Sequence, residues 1–199
     1  RTYYSPRICV SPRNDVAVVT FGSRLFIYSL PGVECIDTFD VDGGPSRCAF
    51  SPTNPDILAF VCKSGNNETN GVLIWDIRQR RLVRKLGKGS GRRPIWFSPD
   101  DRKLLFVSHA NRVEVWDIFT GKLAFDFPYN GRGAISISRS NGLLLTTSVR
   151  DISLWDPRTG RLVASKNHRY KSHFEAVISP NGEHVMIMDR ECKFLIWDL

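Results

Sequence analysis

The stretch Ile152-Ser153-Leu154-Trp155-Asp156, with its following turn Arg158-Thr159-Gly160-Arg161, has close counterparts elsewhere in the chain. The Trp-Asp pair recurs with a period near 40, because the four tryptophans are 41, 39 and 42 residues apart. The four pairs are Trp75-Asp76, Trp116-Asp117, Trp155-Asp156 and Trp197-Asp198, and Tyr28-Ser29 holds the same place in an earlier segment. A period of this length indicates repeated structural units rather than one irregular core.

A second marker keeps step with the tryptophans. It is a Ser-Pro pair at Ser11-Pro12, Ser51-Pro52, Ser98-Pro99 and Ser179-Pro180, and Ser138 occupies the remaining place without its proline. Each marker follows a short apolar run and precedes a turn of Pro, Asn, Asp or Gly. Further short runs rich in β-branched and aromatic residues complete each segment, and none has a sustained helical period. The sequence therefore predicts four short strands per segment.

Antiparallel four-stranded units repeated about every 40 residues predict an all-β fold, a β-propeller in which each unit is a blade. We place the five segments at 7–39, 46–86, 93–127, 134–165 and 174–199, within one domain over 1–199. A tryptophan near the end of a third strand would fill the gap between neighbouring blades, and its N–H would need one partner. The Asp residues that follow tryptophan suit turns better than catalysis.

The Trp-Asp and Ser-Pro pairs, together with turns such as Phe119-Thr120-Gly121-Lys122, resemble the WD40-repeat family over nearly the whole chain. The resemblance implies structural roles for all eight Trp-Asp residues. It also implies divergent blades, because the family's Gly-His pair is absent and its Asp before Trp is missing or shifted, with Asn111 and Asp151 nearest. Neither end completes a unit, so we expect part of a larger, seven-blade type of propeller. A self-contained ring of five blades is the alternative.

The net charge of +8 is concentrated in a way that predicts a basic rim. In a propeller, the loops that join successive blades lie on one face. The predicted partner-binding residues on or beside these loops are Lys88, Arg92, Arg93, Arg132, Lys166, Arg169 and Lys171, with Tyr129 and Tyr170 as stacking surfaces. The earlier loop 40–46 is predicted to be acidic instead. The alternative for all these cations is an ordinary solvated surface.

A rigid framework that displays variable loops predicts a non-catalytic scaffold for protein–protein interactions, as part of a larger chain or multiprotein complex. The basic rim favours acidic or phosphorylated partner segments. One alternative is a propeller that binds the phosphate backbone of RNA or DNA. Another is a phosphoinositide-binding propeller, because Gly91-Arg92-Arg93-Pro94 superficially resembles the Phe-Arg-Arg-Gly motif of that group.

No catalytic, cofactor-binding or metal site is predicted. The glycine-rich segment 87–91 lacks the residue order of a P-loop, and the four histidines lack the spacing of metal ligands. No apolar stretch approaches the length of a membrane span. The five cysteines are odd in number and contain no Cys-x-x-Cys pair. This pattern favours reduced thiols and a cytoplasmic or nuclear location.

Overall fold

The computed structural model of the protein is built from β-strands. It describes residues 6–41, 44–63, 71–87, 95–107, 112–128, 134–148, 151–167, 175–188 and 193–199. No helix occurs in these ranges, and the short apolar runs form antiparallel strands. The all-β prediction is therefore confirmed.

The strands form five sheets in chain order, and within each sheet every strand pairs with its neighbour in sequence. The first sheet is β1 (Arg7–Val10), β2 (Val16–Phe21), β3 (Arg24–Ser29) and β4 (Cys35–Asp40). The second is β5 (Gly44–Phe50), β6 (Ile57–Lys63), β7 (Gly71–Asp76) and β8 (Arg81–Lys85). The third is β9 (Ile95–Phe97), β10 (Lys103–Val107), β11 (Arg112–Asp117) and β12 (Leu123–Pro128). The fourth is β13 (Ile135–Ile137), β14 (Leu144–Thr147), β15 (Asp151–Asp156) and β16 (Arg161–Asn167). The fifth is β17 (Glu175–Ile178), β18 (His184–Met188) and β19 (Phe194–Asp198).

Some strand ends differ from the sequence prediction. Asp40 ends β4 and Gly44 begins β5, so most of the predicted acidic loop 40–46 is strand. Lys166 lies inside β16 rather than in the following loop. Val33 has a positive φ of 54° and lies before β4, which begins only at Cys35. Backbone pairing decides where these strands begin and end. The spacing of apolar residues alone does not predict those limits.

The chain forms two compact units, one of residues 1–110 and 116–123 and the other of 111–115 and 124–199. In the first unit, one apolar cluster joins the first and second sheets and includes Leu25, Leu58 and Phe60. A second cluster of that unit packs Ile74 of the second sheet with Phe97 of β9. The second unit has a cluster between the fourth and fifth sheets, formed by Leu145, Ile152, Leu154, Ala176, Ile178, Val185 and Ile187. Within each unit, successive sheets therefore bury one face against another, as the blades of a propeller do.

The tryptophans of the Trp-Asp pairs lie at these sheet-to-sheet contacts. In the second unit, Trp155 packs on Phe127 at 4.7 Å between ring centroids. In the first unit, Trp75 stacks on Phe39 of the preceding sheet at 5.3 Å, with only 15° between the ring planes. Each ring thus fills space between two sheets of its own unit.

The aspartates of the first three Trp-Asp pairs hold the turn that follows the third strand. Asp76 Oδ1 accepts the Gln79 N–H at 2.7 Å. In the same way, Asp117 accepts the N–H of Thr120 and Asp156 that of Arg158, each at 2.9 Å. Asp198 instead lies opposite His184, the first residue of β18, with Oδ1 2.9 Å from the imidazole Nδ1. These carboxylates fix local backbone geometry, as Asp side chains in turns commonly do.

The outer strands tie each sheet to the turn of the next one within the first unit. Asp37 of β4 forms an ion pair of 2.7 Å with Arg80, in the turn of the second sheet. Arg84 of β8 donates from Nη2 to the Phe119 carbonyl oxygen at 2.9 Å, in the turn before β12. In their sheets, Asp37 and Arg84 hold the same place, directly after a register shift in the outer strand. The shift re-aims the side chain away from its own sheet.

The second unit contains an apolar version of this tie. Gly160, in the turn between β15 and β16, has φ of +73° and lies directly against the ring of Phe125 in β12. A Cβ at Gly160 would stand 2.5 Å from Phe125 Cδ1. Glycine is therefore required twice over, by the backbone conformation and by the close approach.

Candidate functional site

The predicted basic rim lies mostly outside the described residues. Lys88, Arg92, Arg93, Arg132, Arg169, Lys171, Tyr129 and Tyr170 all fall there. Lys166 is described, and its Nζ lies 5.5 Å from the centroid of the Trp197 ring. Lys166 is thus a residue of β16 whose ammonium group contacts an aromatic ring, and it does not belong to the loop after that strand.

In each sheet, the start of the first strand lies beside the end of the second strand. We call this end of the sheet, where strand termini meet, the rim edge. On the first sheet, Arg24 and Asp40 form an ion pair of 2.9 Å at this edge. Arg112 and Asp126 pair in the same manner across β11 and β12. Asp40, from the predicted acidic loop 40–46, thus has the guanidinium of Arg24 as its partner.

Two further arginines occupy the rim edge of the first unit. Arg7 is the first residue of β1, and Arg47 lies in β5 where the pairing of that strand with β6 shifts register. The Nε of Arg47 is buried and has no hydrogen-bond partner. Burial lowers the pKa of Arg47, and the positive charge of Arg7 lowers it further. The two guanidinium groups therefore repel one another at a partly desolvated position.

No ion pair joins Arg7 or Arg47 to a carboxylate within the described ranges. This contrasts with Arg24, Arg80 and Arg112, each of which has an aspartate partner. Two like charges without a carboxylate partner among the described residues attract an anion, and a guanidinium can hold a carboxylate or phosphate with two parallel hydrogen bonds. The arginine pair of Arg7 and Arg47 is therefore a candidate anion-binding feature of the described residues.

Two thiols lie beside the arginine pair. Cys9 of β1 and Cys48 of β5 are both partly buried, and their side chains form a hydrogen bond. This bond from Cys9 lowers the pKa of Cys48, and the charges of Arg47 and Arg7 lower it further against the opposing effect of burial. Donation to Cys48, together with burial, raises the pKa of Cys9. Cys48 is thus the sulfur on which negative charge is favoured.

The described residues contain neither a cluster of metal ligands nor a membrane-spanning helix. No group of three or more His, Cys, Asp or Glu side chains there could hold a metal ion. The same residues include no helix with the length and apolarity to cross a membrane.

Two curated plant proteins are similar to this chain. A WD repeat-containing protein WDS homolog of Arabidopsis thaliana is 29% identical over 136 residues, which cover 62% of this chain and 26% of the relative. Periodic tryptophan protein 2 of Arabidopsis thaliana is 24% identical over 147 residues, which cover 71% of this chain and 16% of the relative. The chain is similar to WD repeat-containing proteins at modest identity. No protein-family model matches it, and it spans well under half the length of either relative.

Divergence from the WD40 pattern is visible at the indole nitrogens. Trp155 donates its Nε1–H to Thr146 Oγ1 at 2.9 Å, so a threonine on the second strand serves as acceptor. The Nε1 of Trp75 is buried without a partner. The WD40-like framework persists because ring packing, rather than one conserved hydrogen bond, holds the tryptophans.

The arginine pair was missed by sequence reasoning, although the WD40-type repeat contains a signal for it. Arg7 and Arg47 each stand four residues before the serine of a Ser-Pro pair, Ser11 and Ser51. Aligning the repeats on Ser-Pro places arginine twice in one column, within the first strands of two successive sheets.

Proposed function

We propose that the chain is part of a non-catalytic scaffold whose rim edge binds acidic or phosphorylated segments of partner proteins. The observation that carries this proposal is the arginine pair of the first unit. Arg47 has a buried Nε without an acceptor, and Arg7 adds a second positive charge beside it.

The energetics favour an anionic ligand over water alone. A buried N–H without an acceptor costs about 1–3 kcal/mol, and an incoming oxygen would remove that cost. A carboxylate or phosphate would also relieve the repulsion between the two guanidinium groups, because each arginine gains a counter-charge. A neutral peptide offers only the first of these gains.

The predicted rim residues extend the proposal beyond the arginine pair. The segments that contain Lys88, Arg92 and Arg93 hold no Asp or Glu, and the same is true of the segment with Arg169 and Lys171. Together with the net charge of +8, they favour acidic partners over basic ones. Free thiols at Cys9, Cys35, Cys48 and Cys62 support a cytoplasmic or nuclear location for this scaffold.

The experiment is a binding titration that follows the fluorescence anisotropy of labelled peptides. The probes are a pool of acidic phosphothreonine peptides, the same pool without phosphate, and a single-stranded RNA of mixed sequence. We expect the phosphorylated pool to bind most tightly. The double variant Arg7→Gln/Arg47→Gln should weaken its binding about 10-fold or more, as expected for loss of charge-assisted hydrogen bonds.

The matched control is Arg13→Gln/Arg102→Gln, which removes two exposed arginines from turns at the opposite edge of their sheets. It lowers the net charge equally and should change binding less than 2-fold. If both double variants weakened peptide binding equally, the loss would reflect the lower net charge alone. The arginine pair would then not be part of the binding site. Tighter binding of the RNA, with a steep loss of affinity as salt rises, would favour the nucleic-acid alternative.

A further inference from the structure

The side chains of Cys9 and Cys48 meet between two sheets. Cys9 belongs to β1 of the first sheet and Cys48 to β5 of the second. Both pack against the apolar cluster that contains Leu58 and Phe60. The strands that carry them, β1 and β5, contact one another, and the hydrogen bond between the two thiols is the main influence on the pKa of each.

Strand alternation explains why these two cysteines face one another. Successive side chains of a strand point to opposite faces of its sheet. Ala49, the residue after Cys48, packs in the other cluster of the first unit, with Val61 and Ile74. Cys48 therefore points back toward the first sheet, where Cys9 lies.

The environment makes the two sulfurs chemically unequal. Arg47 and Arg7 stabilise negative charge on Cys48, whereas Cys9 is the hydrogen-bond donor of the pair. Thiolates are the nucleophilic form of cysteine, and nearby cations increase their population. Cys48 has the surroundings of an attacking thiol, and Cys9 has the position of the thiol that resolves its oxidised product.

We propose that Cys9 and Cys48 form an oxidation-sensitive pair, which hydrogen peroxide converts into a disulfide between the first and second sheets. In the first step, the Cys48 thiolate attacks one peroxide oxygen. The O–O bond breaks, and the departing hydroxide takes a proton to become water. Cys48 is then a sulfenic acid.

In the second step, the sulfur of Cys9 attacks the sulfur of the Cys48 sulfenic acid. The S–O bond breaks, and the departing hydroxide takes the Cys9 proton to form a second water molecule. The pair of thiols has lost two electrons and two protons, and the peroxide has gained them. A dithiol reductant reverses the change by thiol–disulfide exchange.

Other cysteines serve as internal comparisons. Cys35 is exposed on β4, and its Sγ lies 3.5 Å from the Asp37 carbonyl oxygen and 3.6 Å from Thr38 Oγ1. It has no thiol neighbour among the residues that the structure describes. Cys35 should therefore be oxidised or alkylated singly, without forming an internal crosslink.

The test is peptide mapping by mass spectrometry under non-reducing conditions. Native protein would be treated with an equimolar amount of hydrogen peroxide, and remaining thiols would be alkylated before digestion. We expect one crosslinked peptide pair that contains Cys9 and Cys48, lighter by two hydrogen atoms and lost on treatment with dithiothreitol. The Cys35→Ser variant should give the same crosslink, whereas Cys9→Ser and Cys48→Ser should not.

A second measurement assigns the roles of the two sulfurs. In Cys9→Ser, dimedone should trap a sulfenic acid at Cys48, and Arg47→Gln should slow this trapping several-fold. In Cys48→Ser, Cys9 should remain largely untrapped under the same conditions. The mapping of the unmodified protein is decisive without any variant: if Cys9 and Cys48 are both oxidised or alkylated separately and never linked, the proposal is overturned.

Discussion

Trp155 donates its indole N–H to the hydroxyl oxygen of Thr146 across 2.9 Å. Thr146 lies on β14, two residues beyond Leu144, the backbone partner of Trp155. In the second sheet, Leu58 is the backbone partner of Trp75, and the residue two places beyond it is Phe60. Phe60 offers a ring but no acceptor, and the Trp75 Nε1 is left without a hydrogen bond. The same strand position therefore gives tryptophan a hydrogen-bond acceptor in the fourth sheet, Thr146, and an aromatic neighbour in the second sheet, Phe60.

The first prediction concerns Thr146. Thr146→Val keeps the shape of the side chain but removes the acceptor, so we expect the free energy of unfolding to fall by about 1–3 kcal/mol. Urea denaturation followed by tryptophan fluorescence would measure the change. Ser153→Ala removes a half-buried hydroxyl on the facing strand, whose contact with Ser165 Oγ is long at 3.5 Å, and should cost less than about 0.5 kcal/mol. Equal losses in the two variants would contradict a specific role for the Thr146 bond.

The second prediction concerns Gly160. Gly160→Ala must adopt a left-handed conformation, and its Cβ would also collide with Phe125. Gly22 has a similar φ of +63° but has nothing within 4 Å of the added Cβ. Gly22→Ala should therefore cost about 1 kcal/mol for the backbone alone. We expect Gly160→Ala to cost about 1–3 kcal/mol more, because it adds the steric term.

Thermal unfolding of both glycine variants, and of the double variant Gly160→Ala/Phe125→Ala, would separate the two terms. Removing the ring should recover part of the steric cost, so the double variant should be more stable than the sum of its single changes. Strict additivity would show that Phe125 does not press on this turn.

The third prediction is a pH dependence at Asp117. The hydrogen bond from Lys103, with that from the Thr120 amide, lowers the pKa of Asp117 from an ordinary 3.8 to about 2. A carboxyl group with a lowered folded-state pKa stabilises the fold above its unfolded value, and this contribution fades as the pH falls toward the folded value. We expect Asp117→Asn to be less stable than the unmodified protein above pH 3.8, and the gap to close toward about pH 2.

Melting temperatures recorded from neutral to acidic pH would check this dependence. Lys103→Met removes the main partner and should reduce the same pH-dependent component. A gap between Asp117→Asn and the unmodified protein that stays constant as the pH falls from 3.8 to about 2 would rule out ionisation as its cause.

The fourth prediction concerns the tie between Arg84 and the Phe119 carbonyl. Arg84→Met keeps most of the aliphatic length but removes the hydrogen bond, and we expect a loss of about 1 kcal/mol of stability. Arg81→Met, at an exposed position of the same strand, is the matched control. Hydrogen exchange should also accelerate in the turn that contains Phe119 in the first variant only. Unchanged exchange there would mean that the tie does not order the turn.

Repeat period and turn chemistry were enough to predict the strand content and the turn role of Asp76, Asp117 and Asp156. The arginine pair was not predicted, because it depends on which first strands become neighbours in space. The acceptor role of Thr146 depends on strand register, and the predicted strands did not specify that register residue by residue. The ion pair of Asp40 was not predicted for the same reason, since its partner Arg24 lies 16 residues away in the chain.

The contacts of Asp37, Arg84 and Phe125 with later turns all point in the same chain direction. In each of these three cases, an outer strand of the first, second or third sheet contacts a turn of the sheet that follows it. Loosening of one turn would therefore unlatch the outer strand before it, not the one after it. After cleavage at a late turn, a protease should therefore release the outer strands one after another, beginning at the carboxyl side of each unit.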